Sequence, residues 1–516
     1  MKFRNPIVPG YNPDPSICRK GDTFYLVNSS FEFFPGVPIR ESKNLINWTQ
    51  TGYVLDRESQ LPLTGCNPSG GIFAPTIRYH DGMFYMITTN VSRMWAGGKA
   101  GNFIVHSESP KGPWSEPAWI DQMGIDPSIF FDDDGSCWYT GTGYTEQGQG
   151  IVFFQLDPIT GEILSDKKII SLGSGGKCPE GPHMYKKDGW YYLMLAEGGT
   201  EFGHMETIAR SRNIDGPFEF NPAGPLMTAR NTNGHPIQCT GHADLVDDIN
   251  GNWWVVSLGT RPIGTMTHHL GRETFLARID WVDGWPVMRD DGLMQLEPDE
   301  ELPAAETVQP VCDDIHCDFT KMDRLPAVFS WLRNPVMDNY NLTGSGLLLN
   351  GTAERLSTPN TTPTFTGIRQ TQFATCSTAV LSADLPEGCS AGITAYGIHT
   401  HHYDLLVTRR YGKLYAQLRK HLYDMEMVTA EIPLADDVKD ITLKITSDRD
   451  FYYFAVDTGA GFVNLGSAMT IGLATEITEM MTFTGTFIGL FAENGLARFT
   501  AFDYTAKWEG AQERHY

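Results

Sequence analysis

One phrase recurs five times in the first half of the chain: a polar or small residue, usually proline, a short apolar run, a turn, then paired aromatics. The copies are NPDPSICRKGDTFYLV, APTIRYHDGMFYMI, DPSIFFDDDGSCWYTG, GPHMYKKDGWYYLM and GHADLVDDINGNWWVV. In register, Pro15, Pro75, Pro127, Pro182 and His242 share one column, at spacings of 60, 52, 55 and 60 residues. Such a period marks a repeated supersecondary unit. Each copy reads as a β-hairpin, because alternating apolar residues flank Gly21-Asp22, Asp81-Gly82, Asp134-Gly135, Asp188-Gly189 and Asn250-Gly251, pairs suited to the positive φ of tight turns. A four-stranded blade needs roughly this length. Five units therefore predict a five-bladed β-propeller, with the first strand of every blade lining a central channel.

At or just before that column stand Asp14, Ala74, Asp126, Glu180 with Gly181, and His242. Three blades of five thus aim a carboxylate at a place with little room and limited water. Acids brought together there repel one another and raise at least one pKa. A single Asp-Pro pair is an ordinary turn device, but three acids in one register are not explained by turns.

The rest of the 516 residues reads as a second domain. LEPDEELPAAETVQP is rich in proline and acid and poor in bulky apolar residues, as a linker is. From about Cys312 the five-fold phrase is gone. Alternating stretches such as Tyr403 to Arg409, Ile441 to Thr446 and Phe451 to Val456 predict an antiparallel β-sandwich. The expected division is a catalytic propeller over 1–303 and a sandwich over 304–516, all-β throughout; a TIM barrel or Rossmann fold would need helical segments between strands.

A net charge of −23 argues against nucleic-acid partners, which need basic grooves, and favours a neutral substrate. No run approaches the ~20 apolar residues of a membrane span. The first blade begins within a dozen residues of Met1, which leaves no room for a signal peptide, so a cytoplasmic protein is expected, and Asn-x-Thr triplets such as Asn47-Trp48-Thr49 carry no glycan there. The nine cysteines, an odd number, have no paired metal-site spacing apart from Cys312 and Cys317, and read as free thiols.

Hydrolysis of a glycosidic bond fits the acids in the column. One carboxyl must protonate the leaving oxygen while an ionised carboxylate acts on the opposite face; in the inverting case it activates a water, and the two stand ~6.5–9.5 Å apart. Asp14 and Glu180 are candidate base and acid, with Asp126 the third charge that holds the pKa of Glu180 up. Spacing alone does not assign the roles.

The residues also carry a family resemblance. NPDPS, GIDPSIFFDDDG, PEGPH, TGHADLV and LGRETF resemble, in order, the motifs of glycoside hydrolase family 43, and in particular its long β-xylosidases and α-L-arabinofuranosidases with a carboxy-terminal concanavalin-like sandwich. The resemblance implies an inverting exo-glycosidase in which Asp14 is the general base, Asp126 the pKa modulator and Glu180 the general acid. It also implies that Phe31 packs beside the terminal sugar and Arg272 hydrogen-bonds its hydroxyls, although Phe31 could be a core ring and Arg272 could pair with Glu273. His242 would ligate an axial ion or hydrogen-bond the sugar, unless it is a satisfied interior histidine. His268 would hold a water cage or a calcium ion in the channel, as in some members; no cofactor is otherwise required.

Phe73, in GGIFAP, stands where many relatives carry tryptophan, which loses an indole N–H and contact area. Phe483, in MTFTGTFIGLF, resembles the segment by which the sandwich leans over the site, or is a buried strand residue. The expected activity is a β-1,4-xylosidase releasing xylose from the non-reducing end of xylooligosaccharides. The alternatives are an α-L-arabinofuranosidase acting on arabinose-substituted oligosaccharides, a bifunctional enzyme, or, more remotely, a carbohydrate-binding propeller without catalysis. The sequence is compatible with a homo-oligomer.

Overall fold

The computed structural model describes residues 3–92, 101–264, 266–300, 302, 314–478 and 482–509. The expected boundary at 303/304 and Cys312 lie outside them. The described residues form β-strands and four short 3-10 turns, without an α-helix. No helix among them is long and apolar enough to cross a membrane.

The first half builds five four-stranded antiparallel sheets in chain order, starting with Ser16–Lys20, Thr76–His80, Gly124–Phe131, Glu180–Lys187 and Gln238–Asp247; the fourth carries an additional short strand, Met227–Thr228. Each of these first strands pairs with the next strand through an expected turn. Three turns are two-residue loops, closed by Lys20↔Thr23, His80↔Met83 and Lys187↔Trp190. The third and fifth are longer, closed by Phe131↔Cys137 and Asp247↔Trp253. The five first strands touch one another in sequence, and Gln238–Asp247 returns to Ser16–Lys20, so the contacts close into a ring.

The structure explains the paired aromatics. Successive strand residues face opposite sides of a sheet, so each pair feeds two different cores. Phe24 packs with Trp254 between the first and fifth sheets, while Tyr25 packs with Phe84 between the first and second. Tyr85 and Tyr139 meet between sheets two and three, Trp138 and Tyr191 between three and four, and Tyr192 and Trp253 between four and five. Replacing one aromatic of a pair therefore empties one inter-sheet core and leaves the other filled.

Polar groups tie the same strands together on the inside. Asp244 accepts from Arg78 at 2.7 and 3.2 Å, from Tyr185 at 2.6 Å and from Ser16 at 2.7 Å. His183 meets Arg78 and Ser128, each at 3.0 Å. All five sheets contribute to this buried network. Burial drives the His183 imidazole down to about 3, so it stays neutral; burial would raise Asp244, but the Arg78 and His183 charges and the hydrogen bonds from Arg78 and Tyr185 together hold it down at about 2.

One register needs correction. Asp14, Asp126, Gly181 and His242 all have left-handed backbone, with φ of 50°, 53°, 58° and 47°. His242 is thus level with the acids, and Ala243, not His242, with the prolines. Bulges in the third, fourth and fifth sheets at this point hide the offset from a simple repeat count.

The second half is a sandwich. One sheet contains Gly495–Lys507, Ala374–Ser382, Asp440–Ser447 and Phe451–Asp457; the facing sheet contains Phe487–Glu493, Ser390–Ile398, His401–Arg410 and Lys413–Leu422. Asp440–Ser447 alternates buried and less buried residues as its sequence predicts. The side chains between the sheets form one core that includes Leu381, Ile393, Leu405, Leu443 and Phe454. The two halves are stitched together: Trp331–Leu332 pairs with Phe33–Phe34, and the Arg333 amide donates to the Glu32 carbonyl at 2.7 Å. All eight described cysteines are free thiols.

Candidate active site

Asp14, Asp126 and Glu180 converge where the first, third and fourth sheets meet. Asp14 is buried; Arg272 Nη1 lies 2.9 Å from its Oδ1, and the Ser29 hydroxyl donates to Oδ2 at 2.5 Å. His242 Nδ1 is 3.9 Å from Oδ1. Burial and the Asp14 charge push Glu180 up to about 7, against the pull of Arg272 and Lys177. Asp126 is also raised well above the carboxylate range, by burial and then by Glu180 and Asp14. The charge acting on Glu180 therefore comes from Asp14. Asp126 thus stands with Glu180 and Asp14 in one buried group of acids.

Glycine suits position 181 for two reasons. Its φ of 58° is left-handed, and a Cβ there would sit 3.1 Å from the His242 ring. Burial, with the Arg272 charge adding to it, holds His242 below its ordinary range despite Asp14. The neutral ring is thereby suited to a hydroxyl partner.

Arg272 does not pair with Glu273; that acid binds Arg261 at 2.7 Å. Arg272 instead bridges the two halves, donating to Asp14, to Thr200 Oγ1 at 3.0 Å and to the Phe483 carbonyl at 3.4 Å. Its Nε is buried without a hydrogen-bond partner among the described residues. Around it, Phe31 lies 5.2 Å from Phe73 and 5.5 Å from Phe483, ring centre to ring centre, and Phe73 lies 5.8 Å from Phe483. The guanidinium stands 5.7 Å from the Phe31 ring and 5.4 Å from Phe483.

Phe483 is a half-buried loop residue, not a strand residue. Its amide donates to Ser69 Oγ at 3.0 Å, which fastens the sandwich loop to the first half. That loop can approach because Gly485 has no side chain; a Cβ would fall 2.2 Å from the Leu270 carbonyl oxygen. A cavity of about 270 Å³ opens at Arg272, the partner of Asp14, lined also by Thr200, Phe202, Glu476, Thr482 and Phe483 among others; the three acids are not in its lining. Phe483→Ala is expected to raise KM for a disaccharide substrate about tenfold, the equivalent of ~1–2 kcal/mol of ring contact, and to leave the pH profile unchanged. Steady-state kinetics across pH check this, and an unmoved KM would remove Phe483 from the substrate site.

His268, the expected ion ligand, donates to or accepts from Glu476 at 2.7 Å through Nδ1, and its amide binds the other Glu476 oxygen. Among the described residues no group of three His, Cys, Asp or Glu is placed to hold a metal ion. His268 joins the two halves through Glu476. Sequence reading missed Ser29, Thr200 and Ser69. The first two support Asp14 and Arg272 and the third anchors Phe483, but an isolated Ser or Thr carries no local signal of such a role.

Comparison with known proteins identifies the family. Residues 3–286 match Glycosyl hydrolases family 43, and residues 316–505 match the Beta xylosidase C-terminal Concanavalin A-like domain. The chain is 42% identical to the non-reducing end alpha-L-arabinofuranosidase BoGH43B of Bacteroides ovatus, covering 97% of this chain and 93% of that protein. It is 39% identical to a xylosidase/arabinosidase of Butyrivibrio fibrisolvens, over 97% and 98% of the two chains. The crystal structure of a xylan beta-1,4-xylosidase from Bacillus halodurans superposes with a TM-score of 0.89 at 33% identity, covering 98% of this chain and 100% of that one. With its acids, its arginine and its sandwich in these places, the chain belongs to glycoside hydrolase family 43, among the xylosidases and arabinofuranosidases.

Proposed function

We propose that the protein is an inverting exo-glycosidase that removes one terminal pentose from the non-reducing end of a short oligosaccharide. The observation that carries this is the electrostatic division of the acids: Glu180 is pushed up to about 7, whereas Asp14 is ion-paired to Arg272 at 2.9 Å. Glu180 thus holds a proton to give at neutral pH, and Asp14 presents a carboxylate to a water. The five sheets, whose first strands contact one another in a ring, are read as the blades of a five-bladed propeller, with the site at one end of its channel. The Phe483 loop leans over that end, which favours chain ends over internal bonds.

The sugar accepted is the finer question. Xylose is the expectation from sequence, and the name of the Bacillus halodurans structure supports it. The Bacteroides ovatus and Butyrivibrio fibrisolvens relatives add arabinofuranose, and a phenylalanine at position 73 walls the site with less bulk than tryptophan. We read the enzyme as active on both glycones, with α-L-arabinofuranosides preferred and β-D-xylosides second. The kcat/KM ratio on the two 4-nitrophenyl glycosides tests this, and a ratio favouring the xyloside would reverse the order. Inversion has its own check. Proton NMR in the first minutes should show β-L-arabinose from the α-arabinoside and α-D-xylose from the β-xyloside; initial retention of configuration would overturn the role given to Asp14.

A further inference from the structure

A second cavity, of about 660 Å³, lies between the two halves. Its lining includes Asn12, Arg40, Trp48 and Gln50 from the first half and Arg369 and Thr371 from the second, and it contains no described Asp or Glu. Arg40 and Arg369 are 7% and 8% exposed. Arg40 spends its donors on neutral oxygens: Asn28 Oδ1 at 3.0 Å, Asn12 Oδ1 at 2.8 Å and Gln50 Oε1 at 3.1 Å. Arg369 has less. Among the described residues its buried Nε and Nη2 have no hydrogen-bond partner, and the charge rests against the Tyr11 and Phe487 rings, at 5.2 and 5.7 Å.

Two neighbouring guanidinium groups buried with no carboxylate among the described residues beside them are unfavourable, since each has left water and each repels the other. Burial and the Arg369 charge together pull Arg40 down to about 9. The chain as a whole carries a charge of −23, so a cation-only cavity stands out against an acidic surface. A planar fork of unpaired donors beside a second positive charge is the usual recognition element for a carboxylate or phosphate. We propose that this cavity between the halves is a binding site for an oxyanion, a carboxylate or phosphate group on a small molecule, seated on Arg369 and Arg40. The volume exceeds what one phosphate ion needs, and Trp48 supplies a flat wall, so a uronic acid fits the space as well as the charge. The site also lies close to the chemistry. Asn28, held by Arg40, precedes Ser29, whose hydroxyl binds Asp14.

The test uses the full-length protein in low-salt buffer, with inorganic phosphate, D-glucuronate and neutral D-glucose as probes in calorimetric titration and thermal melting. Phosphate or glucuronate should bind and raise Tm beyond sodium chloride of equal ionic strength, while glucose should do neither. Comparing the two anions separates a free-phosphate source from a sugar-acid source. Arg369→Met should weaken anion binding by at least about tenfold and raise Tm in the absence of anion, because an uncompensated charge is gone. Arg369→Lys keeps the charge but loses the fork, and should bind more weakly than wild type. No binding of either anion to the wild-type protein would overturn the assignment, and so would undiminished binding in both variants. The wild-type titration and its chloride control decide the matter even if a variant fails to fold.

Discussion

Glu180→Gln is expected to slow hydrolysis of a natural oligosaccharide by about 10³-fold, within the range of general acid catalysis, while an aryl glycoside with an acidic phenol leaving group loses only about tenfold. A sugar alkoxide cannot depart unprotonated, whereas a nitrophenolate can. The pH profile gives a second readout. With Glu180 pushed up to about 7, wild-type kcat/KM should fall as pH rises through neutrality, and that limb should disappear in the variant on the aryl substrate. Stability moves in the same direction. A carboxyl whose folded pKa lies above its unfolded value of 4.5 makes the fold less stable as pH rises from about 4.5 to about 7. Glutamine mimics the protonated form, so the variant should melt higher than wild type at pH 8 and about equally at pH 4. Equal rate losses on both substrates would remove Glu180 from the role of acid.

Asp14→Asn should abolish turnover on both substrates alike, by about 10³–10⁴-fold, because water must be activated whatever group leaves. It also breaks a buried ion pair: Arg272 is 6% exposed and would lose its carboxylate partner at 2.9 Å. A lowered Tm is expected at neutral pH, since an unpaired buried cation is costly. The two effects separate in Asp14→Ala, where added azide can take the place of the activated water. Recovery of turnover with a glycosyl azide of inverted configuration would identify Asp14 as the base, and recovery without any azide adduct would argue for a structural role only. Ser29 and Thr200, which hold Asp14 and Arg272, are positioning residues, and their alanine variants should cost less than either acid.

These roles divide what was legible in the chain from what was not. The five hairpins, their paired aromatics and the acids before Pro15 and Pro127 are encoded by neighbours in sequence, because turn chemistry and two-residue alternation act over a few residues. The same local logic made the sandwich readable, and the ordered motifs carried the family. The register of His242 failed by one residue because bulges insert backbone without changing the hydrophobic pattern.

Only the tertiary structure decided which partners meet. Arg272 binds Asp14, 258 positions away, and not the adjacent Glu273, which Arg261 occupies. Asp126 is raised because burial and Glu180 act on it together. His268 found Glu476 across the chain, Phe483 reached the site from a loop of the other half, and Arg369 was left facing a cavity with no acid. Short-range propensities fix the strands, but ring closure and docking of the two halves bring together groups hundreds of residues apart, and pairing energies and pKa values depend on those distances and on lost water, neither of which is written in a local stretch of sequence.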